Sequence, residues 1–392
     1  MPPTTNHRTR VHVLLLSNIF PTSVSPNGGT FITARIRALR NEGVRTTSVA
    51  IRPTHVGSAR LLRTVLRRDS TSHPLGDFTD LPVPVGLRDL LSLRTFPSNQ
   101  ILESAADALE ALTKDGDFDL VHAHGMYSIP AGAIAQRFAR RRNLPFVITA
   151  HGSDINRRMP KASSAYSRIL TSADKTIFVS SALRKRAIQL GADSTNSIVI
   201  NNGVNLDVFS INDTPRERHL KQPLILFVGN LIVVKGADRL PPIFRAIRAD
   251  IPNASFAVVG DGPLRSRLET EMADLPVEFA GAVPQAEVAR HLASADLLVM
   301  PSRSEGYPCT ILESYACGTP VIATSVGGVP EAIHNTNYLV NDSGSLPAQF
   351  ASLARDVLHS PSPYEDLQSY ARARSWTAIA RQELSVYQDL VE

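Results

Sequence analysis

The feature that most constrains this chain is a repeated alternation. Short β-branched runs end in Gly, Ser, Asn or His, and a stretch with helical spacing separates each run from the next. In the first half the runs are Val11–Leu16, Thr46–Ile51, Leu120–Ala123, Phe146–Thr149, Thr176–Val179 and Ile198–Ile200. After a polar, Pro-containing stretch from Ser210 to Pro223 they resume at Leu224–Val228, Ser255–Val259, Val277–Phe279, Leu297–Met300 and Val321–Ala323. Strands that alternate with helices build parallel α/β sheets. Two such sets predict two Rossmann-like, doubly wound domains, residues 1–205 and 223–365, with a linker at 206–222. The length of 392 residues, 43% of them hydrophobic, supplies two cores. Doubly wound sheets take ligands beyond the C-terminal ends of their strands, so the residues just after each run are the ones to weigh.

Charge divides the same way. Residues 1–205 carry 26 Lys and Arg against 14 Asp and Glu (26 − 14 = +12), and residues 206–392 carry 15 against 22 (15 − 22 = −7). The basic half fits an anionic partner such as a membrane surface or phosphorylated acceptor, or simply a solvated surface. Leu61–Arg68, a basic amphipathic piece, fits either a membrane surface or packing on its own domain. Val11–Leu16 is too short for a signal-peptide core or a membrane span. The only cysteines, Cys309 and Cys317, fall on one expected helix roughly 12 Å apart at about 1.5 Å per residue, beyond disulfide reach. A cytoplasmic setting is therefore expected.

Several strand-end motifs could carry chemistry, and each has a bland reading beside it. In Ser302–Pro320, SRSEGYPCTILESYACGTP, Pro308 suits the first helical position, Gly318 the C-terminal cap and Pro320 the stop, which predicts a helix over about 308–317. Its free amides around Gly306 to Thr310, directly after a strand, suit a phosphate. Glu305 and Glu313 in this stretch could equally be a dipole-favouring and a surface carboxylate. Phe227–Gly236 runs from a strand into a Gly turn and reaches Lys235, a point charge able to neutralise phosphate. Val258–Pro263 is a second strand and tight turn at Gly260. In the first half, strand ends carry His124-Gly125 and His151-Gly152-Ser153-Asp154, and Asn27-Gly28-Gly29 follows the first strand. A lone strand-end His is more often structural than catalytic, but three Gly-bearing polar loops at one sheet edge are harder to set aside.

In order, Pro-Asn-Gly-Gly, His-Ala-His-Gly, His-Gly-Ser-Asp, Asn-Asn-Gly-Val-Asn, Gly-Asn-Leu with Lys-Gly, Gly-Asp-Gly-Pro, Ser-Glu-Gly-Tyr-Pro with a second Glu, and Gly-Gly-Val-Pro-Glu resemble the family 4 retaining glycosyltransferases of the GT-B fold, in the style of bacterial cell-surface enzymes. The resemblance runs from Val11 to Ser375-Trp376. It implies two domains facing a cleft, with a C-terminal helix, about 366–392, packed back on the first. It also implies roles for residues. Glu313 would accept from the ribose diol, and Glu305 would bind a sugar hydroxyl. Gly306, Tyr307, Pro308, Cys309 and Thr310 would offer the helix start to sugar and diphosphate, and Lys235 would neutralise the diphosphate. Gly28 and Gly29 would let the N-terminal loop close, and His151 would stand beside the transferred sugar. The base would lie near Gly260 and Val283, with His124 and Asp154 on the acceptor side. The family usually has Arg where Asn230 stands; losing a charge-assisted bond there is worth roughly 1.5–3 kcal/mol, leaving Lys235 or a nearby Arg303 or Arg239 to compensate.

The reaction implied is transfer of a hexosyl or N-acetylhexosaminyl unit, with retention, from a nucleotide sugar to a cell-envelope glycan or lipid-linked acceptor. UDP is the first choice of carrier and GDP-mannose the second. No cofactor and no obligatory metal are expected, because Asp115-Gly116-Asp117 and Asp117-Phe118-Asp119 read as a solvated turn. An epimerase or hydrolase of the same architecture remains a rival, as does a non-catalytic nucleotide-sugar-binding protein. A nicotinamide dehydrogenase lacks its Gly-x-Gly-x-x-Gly after the first strand, and nucleic-acid binding lacks a module. Peripheral attachment at the inner membrane face would suit a lipid-linked acceptor.

Overall fold

The computed structural model describes residues 11–22, 28–56, 77–210, 222–360 and 362–392, and side chains throughout these except at 88 and 91. The Leu61–Arg68 piece, residues 23–27 of the first loop and most of the expected linker lie outside the described residues. The chain groups into two units, 1–201 with 379–392, and 202–378.

In the first unit, described strands β1 (His12–Ser17), β2 (Arg45–His55), β3 (Thr79–Val85), β4 (Leu120–His124), β5 (Phe146–Ala150), β6 (Lys175–Phe178) and β7 (Ser197–Val199) form one sheet in the order β3-β2-β1-β4-β5-β6-β7. Every pair in it is parallel. β1, β4 and β5 are wholly buried, as befits strands covered on both faces. The sequence reading missed β3, TDLPVPV. Its two prolines lack the N–H that a central ladder needs, which restricts them to an edge. There Leu81, Val83 and Val85 are buried while Pro82 and Pro84 face out, so the period of two survives.

In the second unit, β8 (Leu224–Val228), β9 (Ser255–Val259), β10 (Val277–Gly281), β11 (Leu297–Met300), β12 (Val321–Thr324) and β13 (Leu339–Val340) run β10-β9-β8-β11-β12-β13, again all parallel. The two-residue β13 was also missed, being too short to show any period. One buried cluster joins Phe227 and Phe256 from the sheet with Phe244 and Phe350 from flanking helices; Phe244 stacks on Phe256 with centroids 4.3 Å apart.

Strand order reverses between β1 and β4 in the first sheet and between β8 and β11 in the second. A doubly wound sheet opens its ligand crevice where the order reverses, beyond the strand C-termini. Residues after β1, β4, β8 and β11 therefore hold the favoured positions in each unit.

The C-terminal stretch is two helices. Tyr364–Arg372 lies in the second unit, where Gln368 Nε2 donates to Ala316 O at 3.3 Å. From Ile379 the last helix, Trp376–Val391, belongs to the first unit and buries Ile379, Ala380, Glu383, Val386 and Tyr387 along one face.

Candidate functional site

The second unit gathers charge at its reversal point. After β8 the chain makes a 3-10 turn, Val233–Lys235, ending at Gly236 with φ 69°. A Cβ on Gly236 would stand 1.9 Å from Pro301 O, so only glycine lets this turn press on the segment leaving β11. The close approach brings Lys235 Nζ to 2.8 Å from both Glu305 oxygens. Ser302 Oγ donates to Glu305 Oε1 at 2.8 Å, and Thr324 Oγ1 donates to Ser302 O. Glu305 is 7% exposed and Lys235 35%. An ammonium has three N–H donors; two directed at the carboxylate leave the third for another anion.

The helix expected over 308–317 spans Cys309–Ala316, α1 here. Pro308 sits one place before it, in extended backbone at the N-cap (φ −78°, ψ 112°), because a proline with no N–H suits the cap as well as the first turn. Thr319 N–H and Gly318 N–H close the far end on Ser314 O and Tyr315 O, both at 2.9 Å. Tyr307 and Pro308 are buried, while Gly306, Cys309 and Thr310 are half-buried before and on the first turn. The buried Asn202 Nδ2 donates to Tyr307 O at 3.1 Å and fixes the approach to the helix. Glu313, half-buried on α1, has its carboxyl pushed up to about 7 by the protein packed around it. Neither cysteine is in a disulfide.

Neither arginine proposed to replace the missing guanidinium is available for that role without breaking an ion pair. Arg303 pairs with both Asp238 oxygens at 2.6 and 2.8 Å, and Arg239 with both Asp342 oxygens at 2.7 and 2.9 Å. Their nearness in sequence was real, but aspartates had already claimed them. Asn230 is exposed. Gly260 N–H donates to Gly281 O at 2.8 Å, and Val283 is half-buried in the loop that follows β10.

The first unit gathers neutral rings instead. Gly29, with φ 70°, opens the helix Thr30–Asn41, and a Cβ there would lie 1.3 Å from Ile19 O in the loop after β1. Gly28 precedes it in the same turn. His124 ends β4, and its Nδ1 lies 3.3 Å from Nε2 of His151, just after β5. Phe31 sits against the His151 ring, centroids 5.0 Å apart. Burial, aided by the charge of Arg35, holds His151 well below the ordinary histidine range; burial does the same to His124. Asp154 is fully buried and caps its own turn, accepting from the amides of Gly152, Ile155 and His151 at 2.8, 3.0 and 3.1 Å. Burial pushes its carboxyl up against the pull of those amides. Such a carboxylate shapes the loop that presents His151.

The comparisons with known proteins agree with both sets of motifs. A model described as "Glycosyltransferase Family 4" matches residues 28–208, and one described as "Glycosyl transferases group 1" matches residues 222–360. The putative teichuronic acid biosynthesis glycosyltransferase TuaC of Bacillus subtilis is 30% identical over 381 residues, covering 92% of this chain and 94% of that protein. The chain belongs to the family 4 glycosyltransferases. A GDP-mannose-dependent alpha-(1-6)-phosphatidylinositol monomannoside mannosyltransferase of Mycolicibacterium smegmatis is 31% identical over 220 residues, 52% of this chain and 57% of that one. Among solved structures, HepE of Anabaena in complex with UDP and glucose superposes with a TM-score of 0.71 at 17% identity, covering 97% of this chain and all of that one. Sucrose-phosphate synthase of Thermosynechococcus elongatus gives 0.71 at 20%, covering 97% and 99%. The glycosyltransferase thus has the GT-B fold of two Rossmann-like domains.

Sequence reasoning missed several polar partners in this glycosyltransferase. Ser302, three residues before Glu305 and at the end of β11, was readable as a strand-end hydroxyl. His122 was readable too, since residues two apart on a strand share a face with His124. Arg35 and Glu383 gave no local sign; their charged atoms lie 3.0 Å apart with both side chains fully buried. Among the described residues no helix is long and apolar enough to cross a membrane.

Proposed function

We propose that this glycosyltransferase moves a hexosyl or N-acetylhexosaminyl unit, with retention of configuration, from a nucleotide sugar to a cell-envelope glycan or lipid-linked acceptor. The observation that carries the reading is the Lys235–Glu305–Ser302 cluster at the reversal point of the second sheet. A departing nucleoside diphosphate gains negative charge in the transition state, and donors aimed at that charge supply much of the rate. The third Lys235 proton and the positive end of α1 are placed to meet that charge. They supply the positive charge that a metal would bring, so this reading requires none. Glu313 takes the ribose diol, Glu305 a sugar hydroxyl, and His151 stands by the sugar.

Glu305 orients the donor in this reading. An ion pair to Lys235 and a hydrogen bond from Ser302 lower the nucleophilicity of its carboxylate, which argues for front-face attack, with the leaving phosphate taking the acceptor's proton. Trapping a covalent glycosyl adduct on Glu305 with a slow fluorinated donor overturns this. UDP is favoured as carrier because HepE binds UDP and glucose; GDP-mannose, named for the mycobacterial relative, is second. The acceptor side draws on the basic first half and on the teichuronic acid named for TuaC. Peripheral attachment to the inner membrane face follows from a lipid-linked acceptor, and moderate salt should then release the protein from membranes.

A thermal-shift screen of nucleotide sugars tests the donor, since a ligand at 100 times its dissociation constant stabilises by about 2.7 kcal/mol. The anomeric configuration of the product, read by NMR, tests retention. Incubation with donor alone, yielding free sugar or an epimer at the full rate, would establish the hydrolase or epimerase rival.

A further inference from the structure

The two loops that meet at the reversal point of the second sheet hold one another by crossed contacts. From the segment leaving β11, Arg303 reaches over to the turn Val233–Lys235. Its Nη1 donates to Val233 O at 2.7 Å, and its backbone N–H donates to Val234 O at 2.9 Å. Its guanidinium also pairs with both oxygens of Asp238, three residues beyond Lys235, at 2.6 and 2.8 Å. From the other side Arg239 Nη1 donates back to Pro301 O at 3.0 Å, the same carbonyl that Gly236 approaches. Arg303 thus grips the chain before and after Lys235, while Glu305, two residues on from Arg303, takes the ammonium.

The turn needs such help. A single 3-10 turn has few hydrogen bonds of its own, and their geometry is poor. This one is closed by Gly236 N–H donating to Val233 O at 2.9 Å. The same Val233 O takes the Arg303 donor, so both of its lone pairs are used. A planar fork can meet two carboxylate oxygens and a carbonyl at once, which a lysine in its place could not. The lysine that Arg303 frames is long and flexible, and a side chain already ordered gives up less rotamer freedom when an anion arrives.

We propose that Arg303 is a positioning residue: through Val233, Val234 and Asp238 it fixes the turn from which Lys235 reaches Glu305, and so aims the third ammonium proton at the donor's diphosphate. The aim at a diphosphate rests on the function proposed above; the hold on Lys235 does not. Arg303 itself makes no bond to the phosphates in this account, because its charge is spent in the pair with Asp238.

Trace acetylation of the full-length protein without ligand, read by mass spectrometry, measures how tightly the Lys235 amine is held, with the exposed Lys185 as internal reference. Arg303→Met should raise the Lys235 rate relative to Lys185 by about 2- to 10-fold, the worth of one net hydrogen bond. Asp238→Ala, which breaks the same pair from the other loop, should raise it too. An unchanged ratio in either variant that folds overturns the proposal. Titration with UDP and with GDP reads the consequence. Asp238→Ala removes a negative charge, so charge alone would tighten nucleotide binding, whereas a loosened turn should weaken it by about 2- to 10-fold; tighter or unchanged binding overturns the positioning role. Arg303→Met should weaken binding by a similar factor in the wild-type chain and have no effect once Lys235→Ala is present. An equal effect in both backgrounds means that Arg303 acts on the anion without Lys235, and overturns the role. A raised acetylation ratio in a protein that binds neither nucleotide would defeat the nucleotide-sugar reading of this cluster and leave the hold on Lys235 standing.

Discussion

At the ends of β8 and β11 the polar groups carry full charges, a lysine and a glutamate 2.8 Å apart and still partly open to solvent on the lysine side. At the ends of β4 and β5 the polar groups are neutral imidazoles in a dry setting, and the full charges of Arg35 and Glu383 are withdrawn into the interior. The sheets share a topology, so the contrast lies in what the strand ends carry. A site made of charge answers an anion such as a diphosphate. A site of neutral rings answers hydroxyl groups and makes hydrogen bonds that ionic strength barely changes.

The contrast breaks most severely if the buried ion pair of the first unit is broken. Glu383→Leu removes the carboxylate 3.0 Å from the buried Arg35 and should cost about 3–5 kcal/mol of stability, read as a lower urea midpoint at constant slope. Adding Arg35→Met should recover most of that loss, because two apolar groups replace two charges. If the double variant is no more stable than the single one, the pair is not what the fold depends on there.

Next in size is the charged half. Lys235→Ala should weaken nucleoside diphosphate binding by about 10- to 150-fold, the worth of a charge-assisted hydrogen bond, in a calorimetric titration. A change below threefold would remove Lys235 from the proposed anion site. Gly236→Ala tests the turn that delivers Lys235: with φ 69° and Pro301 O in the way, it should cost about 1–3 kcal/mol or more, seen as a lower melting temperature.

The last test concerns Glu313 and is read against pH. With its carboxyl pushed from 4.5 to about 7, the folded protein keeps a proton that the unfolded chain gives up. Its contribution to stability is full below about pH 4.5 and is lost as pH rises through about 7. Glu313→Gln should flatten that part of the stability profile and, if the ionised carboxylate holds the ribose, abolish a rise in donor affinity over the same range. An unchanged profile would place the carboxyl in ordinary solvent.

Much of this architecture was legible because burial on both faces leaves long β-branched runs, and the central strands are such runs. The edges were not. Pro82 and Pro84 disguise β3, and β13 is two residues long. In the second unit Lys235 and Glu305 stood out singly, yet their pairing spans 70 positions and depends on Gly236 touching Pro301. The fates of Arg303 and Arg239 were hidden for the same reason, since Asp342 is 103 positions from its partner. His122 was present in His-Ala-His, where the strand period alone sets it beside His124. What it leans on, Tyr387, is 265 positions away.

The first unit is made of two pieces of chain, and the second is one uninterrupted piece between them. On the ribosome Glu383 emerges 348 residues after Arg35 (383 − 35 = 348), an interval of roughly 17–70 s at about 5–20 residues per second. Until then the first unit lacks both the carboxylate that balances its buried guanidinium and the tyrosine that clamps His122. The middle of the chain meets all of its own partners sooner. The first unit is the earlier begun of the two, but the second is the first that can be finished.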